Sequence, residues 1–272
     1  MFTTVSTDQT QVRLKRQLDI QLPEGTCRIE DLALVSPDML LVSNWGKQRM
    51  QLLDCLKGEV VYEVQLKGWP YRICLTDRNT AAVEVGDRKI QMIKVKNKTL
   101  TKGRELTVSE SIRGLTFSRN SLVVAYYDPP WLEEISIDGK VLQQFDKEAG
   151  SQYFKYPNFM CTTPSGSVFI SDYGTDTITQ LDDQLNILQT FTSPLLQGPC
   201  GITAVTEDQV LVCSNSNNSI VLLQPSTNTM STLLRKDDGM EMPRSLTYCP
   251  DQKKVYVTPP QYTATIKVYQ VS

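Results

Sequence analysis

The chain has 272 residues, with 28 Lys and Arg, 30 Asp and Glu, and no histidine. The absence of histidine excludes Ser-His-Asp and Cys-His nucleophilic pairs and every His-ligated metal site. A net charge of −2 argues against non-specific binding to nucleic acid or to membranes. A composition of 40% hydrophobic and 21% charged residues is typical of a folded globular protein.

The cysteines and the N-terminal sequence bear on the cellular compartment. The seven cysteines are spread along the chain, and no Cys-x-x-Cys spacing occurs. Residues 1–16 lack the pattern of a signal peptide, and no apolar run approaches the roughly 18 residues that a membrane-spanning helix needs. We therefore expect a cytoplasmic protein with reduced thiols and no membrane association.

The predicted elements form a repeat. A first strand is predicted over residues 12–22 (VRLKRQLDIQL). After it, a pattern of short apolar runs bounded by turn-forming residues recurs six times, starting near residues 29, 70, 112, 157, 199 and 243. The first five copies each have room for four strands, and a repeat of about 42 residues with four strands is typical of a β-propeller blade.

The count of repeats predicts the fold. Six copies indicate an all-β, six-bladed β-propeller of four-stranded antiparallel blades, forming a single domain over residues 1–272, with almost no helix. The last copy has only about 30 residues, enough for three strands. We expect the strand at 12–22 to complete this blade and to close the ring, because closure removes exposed sheet edges.

Several copies carry a recognisable motif. The segments PCGITAV from Pro199, SNNSI from Ser216, SDYGTDTI from Ser171 and SNWGKQRMQLLD from Ser43 resemble NHL repeats. The resemblance extends over all six copies, and those near 70, 112 and 243 are degenerate. It implies a propeller like the C-terminal domain of tripartite-motif (TRIM-NHL) ubiquitin ligases, which binds a protein or RNA partner. RING, B-box and coiled-coil segments are absent, so the chain would be the recognition module alone or a piece of a larger protein.

The blade pattern also predicts a binding rim. In a propeller the inner strand begins, and the second strand ends, on the same face. Side chains at these positions can bind carboxylates or phosphates through arginine and can stack through aromatic rings. The residues predicted on this rim are Arg72, Arg113, Arg244, Trp45, Tyr71, Tyr126, Tyr127, Phe159 and Tyr173. Glu30, Glu84 and Asp172 share the rim and could neutralise the arginines.

Two proline-rich loops offer an alternative contact surface. They are Asp128-Pro129-Pro130-Trp131 and Pro259-Pro260-Gln261, at corresponding places in the third and sixth copies. Proline stiffens a loop and lowers the entropy lost on binding, so the first loop could present Trp131 to a partner. The alternative is that both are irregular connections that tolerate proline.

The sequence is compatible with two kinds of function, that of an enzyme and that of a binding module. Glu30 and Asn158 resemble two metal ligands of calcium-dependent lactonases with six-bladed propellers, but Arg113 and Cys200 stand where oxygen ligands would be required. We therefore predict a non-enzymatic module without cofactor or metal, which binds a protein segment on the rim. Single-stranded RNA is the second choice, because a pI of about 5.4 gives little long-range attraction for phosphate.

Overall fold

The computed structural model describes residues 13–22, 27–145, 147–258 and 263–272. Within these ranges the chain forms six four-stranded antiparallel sheets, arranged as the blades of a ring. The inner strands begin within three residues of the six predicted starts. The predicted all-β, six-bladed propeller is thus confirmed.

Each blade runs from its inner to its outer strand. Blade one comprises β2 (Ile29–Ser36), β3 (Met39–Asn44), β4 (Arg49–Asp54) and β5 (Glu59–Gln65). Blade two comprises β6 (Ile73–Asp77), β7 (Thr80–Glu84), β8 (Lys89–Lys96) and β9 (Thr99–Thr107). Blade three comprises β10 (Ile112–Ser118), β11 (Ser121–Tyr127), β12 (Pro130–Ser136) and β13 (Val141–Gln144).

Blade four comprises β14 (Pro157–Thr162), β15 (Val168–Asp172), β16 (Thr177–Leu181) and β17 (Ile187–Thr192). Blade five comprises β18 (Pro199–Thr206), β19 (Gln209–Ser214), β20 (Ser219–Gln224) and β21 (Thr229–Leu234). Blade six comprises β22 (Leu246–Cys249), β23 (Lys254–Val257), β24 (Thr265–Val271) and, as its outer strand, β1 (Leu14–Gln21).

The N-terminal strand closes the ring as the sequence predicts. Strand β1 pairs antiparallel with β24, from Leu14 opposite Val271 to Gln21 opposite Thr265. Residue 12, where the predicted strand begins, lies outside the described residues. Because the first and last strands of the chain share one blade, the ring is held shut by a row of backbone hydrogen bonds.

Local turn chemistry fixes the strand register. The hairpins β8–β9 and β10–β11 turn through Asn97–Lys98 and Arg119–Asn120, and all four residues have φ between 48° and 71°. Positive φ at both central residues defines the two-residue turn whose twist matches that of the flanking strands, and asparagine tolerates it well. These short turns keep the ends of the blades compact.

The hydrophobic core lies between neighbouring blades. Leu41 and Leu52 of blade one pack in one cluster with Val83 and Ile93 of blade two, and all four are fully buried. Each such side chain contributes roughly 1.5–3 kcal/mol by leaving water. Both faces of the middle strands are therefore apolar, which explains why the sequence shows continuous apolar runs there rather than strict alternation.

One helix departs from the predicted all-strand pattern. Helix α1 (Lys147–Tyr153) follows blade three, and Gly150 approaches so closely that a Cβ there would lie 2.3 Å from the carbonyl oxygen of Pro130. Among the described residues no helix is long and apolar enough to cross a membrane. All seven cysteines carry free thiols, and five of them are buried.

Candidate functional site

The six inner strands bring their starts together around the channel axis on one face. The residues at these positions are Glu30, Arg72, Arg113, Asn158, Cys200 and Arg244, one from each blade. Three of the six are arginines, so this mouth of the channel carries a concentration of guanidinium groups. Their partners decide which of them can meet a ligand.

Arg72 closes the mouth of the channel. Its Nε donates to the carbonyl oxygens of Arg113 at 3.1 Å and Asn158 at 3.0 Å, and its Nη2 donates to Asn158 Oδ1. The guanidinium carbon lies 3.5 Å from the ring centroid of Phe159. Arg72 is 4% exposed, so it links blades two, three and four from inside the protein.

Glu30 is shared among three guanidinium groups. Its side chain is fully buried and accepts hydrogen bonds from Arg28 Nε and from both Nε and Nη2 of Arg244, the first of these Arg244 bonds at 2.8 Å. Arg72 Nη1 lies 3.9 Å from the same carboxylate. A buried carboxylate needs such partners to offset its lost hydration. The Glu30 carboxylate therefore contacts three guanidinium groups at once.

Asp31 ties the first blade to its two neighbours. Its carboxylate accepts hydrogen bonds from the Ser245 hydroxyl at 2.5 Å, from the Ile73 backbone at 2.9 Å and from the Leu32 backbone at 2.9 Å. Burial raises the pKa of Asp31, and the nearby Arg72 charge works in the opposite direction. Asp31 therefore has a structural place beneath the mouth.

Glu84, at the end of β7, is the third acidic group near the axis. It is 6% exposed, and burial raises its pKa to about 7, against the lowering influence of Arg72 and Arg113. Ordinary glutamates titrate near pH 4.3, so Glu84 holds its proton into the neutral range. Its contribution of negative charge is accordingly reduced.

A cavity of about 530 Å³ opens above this layer and is called the mouth cavity below. Its lining residues are Arg113, Tyr156, Pro157, Asn158, Tyr173, Cys200, Asn215, Met242 and Arg244. Its size and its mixture of apolar walls with a few polar groups are typical of a binding site. The side chains of Tyr156, Tyr173 and Met242 are 39%, 45% and 48% exposed, which makes them available to a partner.

Arg113 packs against a pair of tyrosines. Its guanidinium lies 4.9 Å from the ring centroid of Tyr127, whose ring is tilted by 32° against that of Tyr156 with the centroids 4.7 Å and the two hydroxyls 2.7 Å apart. Asp172 accepts hydrogen bonds from the backbone N–H groups of Lys155 and Tyr156 at 2.7 and 2.9 Å, which fixes the segment that carries Tyr156. Within the described residues Arg113 makes no ion pair, so its positive charge is directed to solvent.

The predicted rim residues separate into three groups. Arg113, Arg244 and Tyr173 line the mouth cavity, and Tyr127 supports Arg113. Trp45 lies on the other side of the mouth, where it stacks on Trp69 at 6.1 Å beneath the Arg28 guanidinium. Tyr71 lines a smaller pocket between blades two and three. These six of the nine predicted residues lie around the mouth, but they do not form one continuous rim.

Three predicted binding residues are buried and require correction. Tyr126 is fully buried, stacks on Trp131 at 4.6 Å and donates to Glu133 at 2.8 Å, so it belongs to the core of blade three. Arg72 and Phe159 are 4% exposed and form the layer beneath the cavity. Alternation along β11 sends Tyr126 between the blades and leaves Tyr127 half-buried at the mouth.

The first proline-rich loop does not provide the predicted contact. Trp131 is fully buried because it belongs to β12 and is covered by Gly150 of helix α1. The expectation that Trp131 faces a partner is therefore wrong. The second loop, Pro259-Pro260-Gln261, lies outside the described residues.

Tyr156, Met242 and Trp69 are exposed at the mouth, and the sequence analysis missed them. Each stands immediately before a proline that precedes or opens an inner strand. Proline disfavours helical backbone in the residue before it, so the chain crosses the mouth in irregular conformation before the strand begins, with Met242 at a positive φ of 35°. The repeated X-Pro step was a usable signal, because it marks one position in the corresponding blades.

The residues that resemble calcium ligands are engaged elsewhere. The Glu30 carboxylate binds arginine, and Asn158 Oδ1 accepts from Arg72. Across the described parts of the chain, no cluster of three or more Asp, Glu, Cys or His side chains could hold a metal ion. The donor set at the mouth thus fits an anion better than a cation.

The fold and this mouth define a six-bladed β-propeller with an arginine- and tyrosine-lined cavity. Among solved structures it is similar to virginiamycin B lyase from Staphylococcus aureus, with a TM-score of 0.67 at 12% identity over 96% of this chain and 99% of that one. It is also similar to the propeller domain of Cps50 (Swd1) from Myceliophteria thermophila, with a TM-score of 0.65 at 12% identity over 90% and 84% of the two chains.

A third similar structure is a protein of unknown function from Bacteroides thetaiotaomicron, with a TM-score of 0.75 at 11% identity over 96% of this chain and 76% of that one. No protein-family model and no curated protein matches the sequence. Identities this low establish the propeller fold alone. The fold fits a binding module, and propellers of this shape include both enzymes and non-enzymes.

Proposed function

We propose that this chain is a non-enzymatic recognition module whose mouth cavity binds an acidic protein segment. One observation carries the proposal: within the described residues, the exposed guanidinium group of Arg113 makes no ion pair and lines the mouth cavity beside that of Arg244, and the acidic groups near the axis are Glu30, Asp31 and Glu84. Burial raises the pKa of Asp31 and Glu84, which further reduces the opposing negative charge. An anionic ligand would balance the Arg113 charge.

The aromatic walls favour a peptide as that ligand. Exposed Tyr156 and Tyr173 can pack on side chains and hydrogen-bond through their hydroxyls, and Met242 adapts its shape to an apolar neighbour. The overall charge of −2 weakens long-range attraction for a polyphosphate chain. The NHL-like motifs support a partner-binding domain of a TRIM-type ubiquitin ligase or a stand-alone relative, and the seven free thiols suit a cytoplasmic location.

Binding of a fluorescein-labelled hexaglutamate peptide, followed by fluorescence anisotropy at low salt, tests the proposal. We expect Arg113→Glu to weaken binding by about tenfold or more, because it places a negative charge in the cavity wall. Arg78→Glu makes the same charge change in the exposed turn after β6, away from the mouth, and should leave affinity unchanged. Absence of hexaglutamate binding, or equal effects of the two substitutions, would contradict the proposal.

Single-stranded RNA is the second candidate, because exposed tyrosines beside arginines can stack on bases. A labelled oligouridine of about twelve nucleotides, added to the same variants, separates the two ligands. Arg113→Glu is the informative change here, because Arg72→Glu and Arg244→Glu would also disrupt buried contacts. RNA binding that is stronger than hexaglutamate binding and is lost in Arg113→Glu would favour RNA over protein.

The calcium-dependent lactonase or esterase is the enzymatic alternative. A calcium ion there would have to take the Glu30 and Asn158 oxygens away from the arginines that now donate to them. Two measurements with calcium distinguish this case: isothermal titration calorimetry and thermal unfolding. A lactonase-type site would give a heat of binding in the first and a rise in unfolding temperature in the second. We expect neither.

A further inference from the structure

A small pocket of about 160 Å³ lies between blades two and three, beside the mouth cavity, and is called the side pocket. Tyr71, Glu84, Arg88, Lys89 and Arg113 are among its lining residues. Because Arg113 also lines the mouth cavity, the two spaces adjoin at this side chain. A peptide in the mouth cavity could therefore place one side chain into the side pocket.

Glu84 is a buried carboxyl group that lines the side pocket. It is 6% exposed, and its carboxyl group interacts with the backbone N–H of Arg72. No side-chain hydrogen bond to this carboxyl exists within the described residues. The charged groups that face it are Arg72 from the segment before β6, Arg113 from β10, Glu30 from β2, and Asp87, Arg88 and Lys89 from the turn into β8.

The cations around the side pocket differ in their availability. Lys89 pairs with Glu105 at 2.6 Å, so the Glu105 carboxylate already neutralises its charge. Arg88 and Arg113 have no ion pair with any described residue, and both are exposed. Gly86, Asp87 and Arg88 have consecutive positive φ values of 76°, 50° and 58°, a tight turn that holds Arg88 at the pocket edge.

We infer that the side pocket binds a carboxylate side chain of the bound protein segment, held between Arg88 and Arg113 and hydrogen-bonded to the Glu84 carboxyl. This inference rests on the proposed function, since the carboxylate belongs to the peptide in the mouth cavity. Two guanidinium groups supply donors and positive charge. A protonated Glu84 supplies a further O–H donor, whereas an ionised Glu84 would repel the ligand.

The arrangement makes binding depend on pH. Below about pH 7 Glu84 carries its proton and binding is favoured; above it the ionised carboxylate opposes a second negative charge. Aspartate and glutamate side chains of the ligand, with pKa values near 4, remain ionised throughout this range. The chain has no histidine, so the common source of pH dependence between pH 6 and 8 is absent.

The test measures hexaglutamate affinity by anisotropy at pH 6 and pH 8 for the full chain and three variants. We expect the unmodified chain to bind at least about threefold more tightly at pH 6. Glu84→Gln, a neutral isostere, should bind equally at both values, with the affinity of the unmodified chain at pH 6. Arg88→Ala should weaken binding about fivefold at both. Glu59→Gln, in an exposed outer strand, is the matched control and should change nothing.

The outcomes separate the inference from the proposed function. Hexaglutamate binding that remains sensitive to Arg113→Glu, but is unaffected by Arg88→Ala and keeps its pH dependence in Glu84→Gln, would overturn the side pocket and leave the mouth cavity standing. No hexaglutamate binding at either pH would overturn both. Cooperative unfolding of Glu84→Gln at pH 6, with a midpoint no lower than that of the unmodified chain, verifies that the variant retains its fold.

Discussion

Glu30 and Arg244 form an ion pair between the first and last blades, with Arg244 Nε 2.8 Å from the Glu30 carboxylate. The two residues are 214 positions apart, and both stand at the start of an inner strand. The pair therefore joins blade one to blade six, whereas β1 closes the ring by pairing with β24 within blade six. The ring is thus closed by a side-chain ion pair at the mouth and by backbone hydrogen bonds at its outer edge.

The first prediction concerns Glu30. Glu30→Gln keeps the shape of the side chain but removes the buried carboxylate that contacts Arg28, Arg72 and Arg244. Because it leaves buried positive charge uncompensated, we expect a loss of about 3–5 kcal/mol in the free energy of unfolding. Urea unfolding measures this loss. Glu59→Gln, whose partner Lys57 is exposed, should shift the midpoint little, and similar midpoints for both variants would contradict the prediction.

The second prediction separates two arginines that the sequence placed together. Arg72→Ala removes buried hydrogen bonds to Arg113 and Asn158, and we expect it to destabilise the fold by about 2–4 kcal/mol. Arg113→Ala, at an exposed position, should change stability by less than about 0.5 kcal/mol while weakening hexaglutamate binding. Urea unfolding and anisotropy of the two variants check this division. Equal destabilisation by both would show that Arg113 is also structural.

The third prediction is a pH dependence of stability due to Glu84. Because burial raises the folded-state pKa from 4.5 to about 7, the folded state binds the proton more tightly, and Glu84 favours folding fully below about pH 4.5. This contribution, of up to ~3 kcal/mol, is lost as the pH rises to about 7. Urea unfolding of the unmodified chain should therefore show stability falling from pH 5 to pH 8.

The matched comparison for this effect is Glu84→Gln, which cannot ionise. The variant should lose less stability than the unmodified chain over the same interval and should be the more stable of the two at pH 8. Asp31, whose pKa burial also raises, remains in both proteins, so the difference between them reports Glu84 alone. Parallel pH profiles would contradict the prediction.

The architecture could be predicted because it depends on periodic features. The spacing of the copies, the apolar runs and the turn residues are each local, and the short sixth copy made it possible to predict that β1 completes the blade. Helix α1 was missed because seven residues give too few turns for a helical pattern.

The site was predictable only to the level of its face. Both Tyr126 and Tyr127 were predicted on the rim because they end the same strand, but alternation along β11 leaves only Tyr127 there. Which arginine is paired depends on side chains from distant blades: Glu30 approaches Arg244 through ring closure, and no short-range pattern encodes that contact. Burial of Arg72 likewise follows from its reach across the channel to Asn158.

The last prediction tests the reassignment of Tyr126 against the exposure of Tyr173. Tyr126→Phe removes the hydroxyl that donates to the buried carboxylate of Glu133 at 2.8 Å, and leaves that carboxylate with the weaker 3.2 Å bond from Ser109. An under-satisfied buried acceptor costs about 1–3 kcal/mol, so urea unfolding should shift by this amount with hexaglutamate affinity unchanged. Tyr173→Ala should do the reverse, because its ring is 45% exposed in the cavity wall. We expect its stability to change by less than about 0.5 kcal/mol and its affinity to fall about threefold. A loss of affinity in Tyr126→Phe without a loss of stability would return Tyr126 to the binding surface.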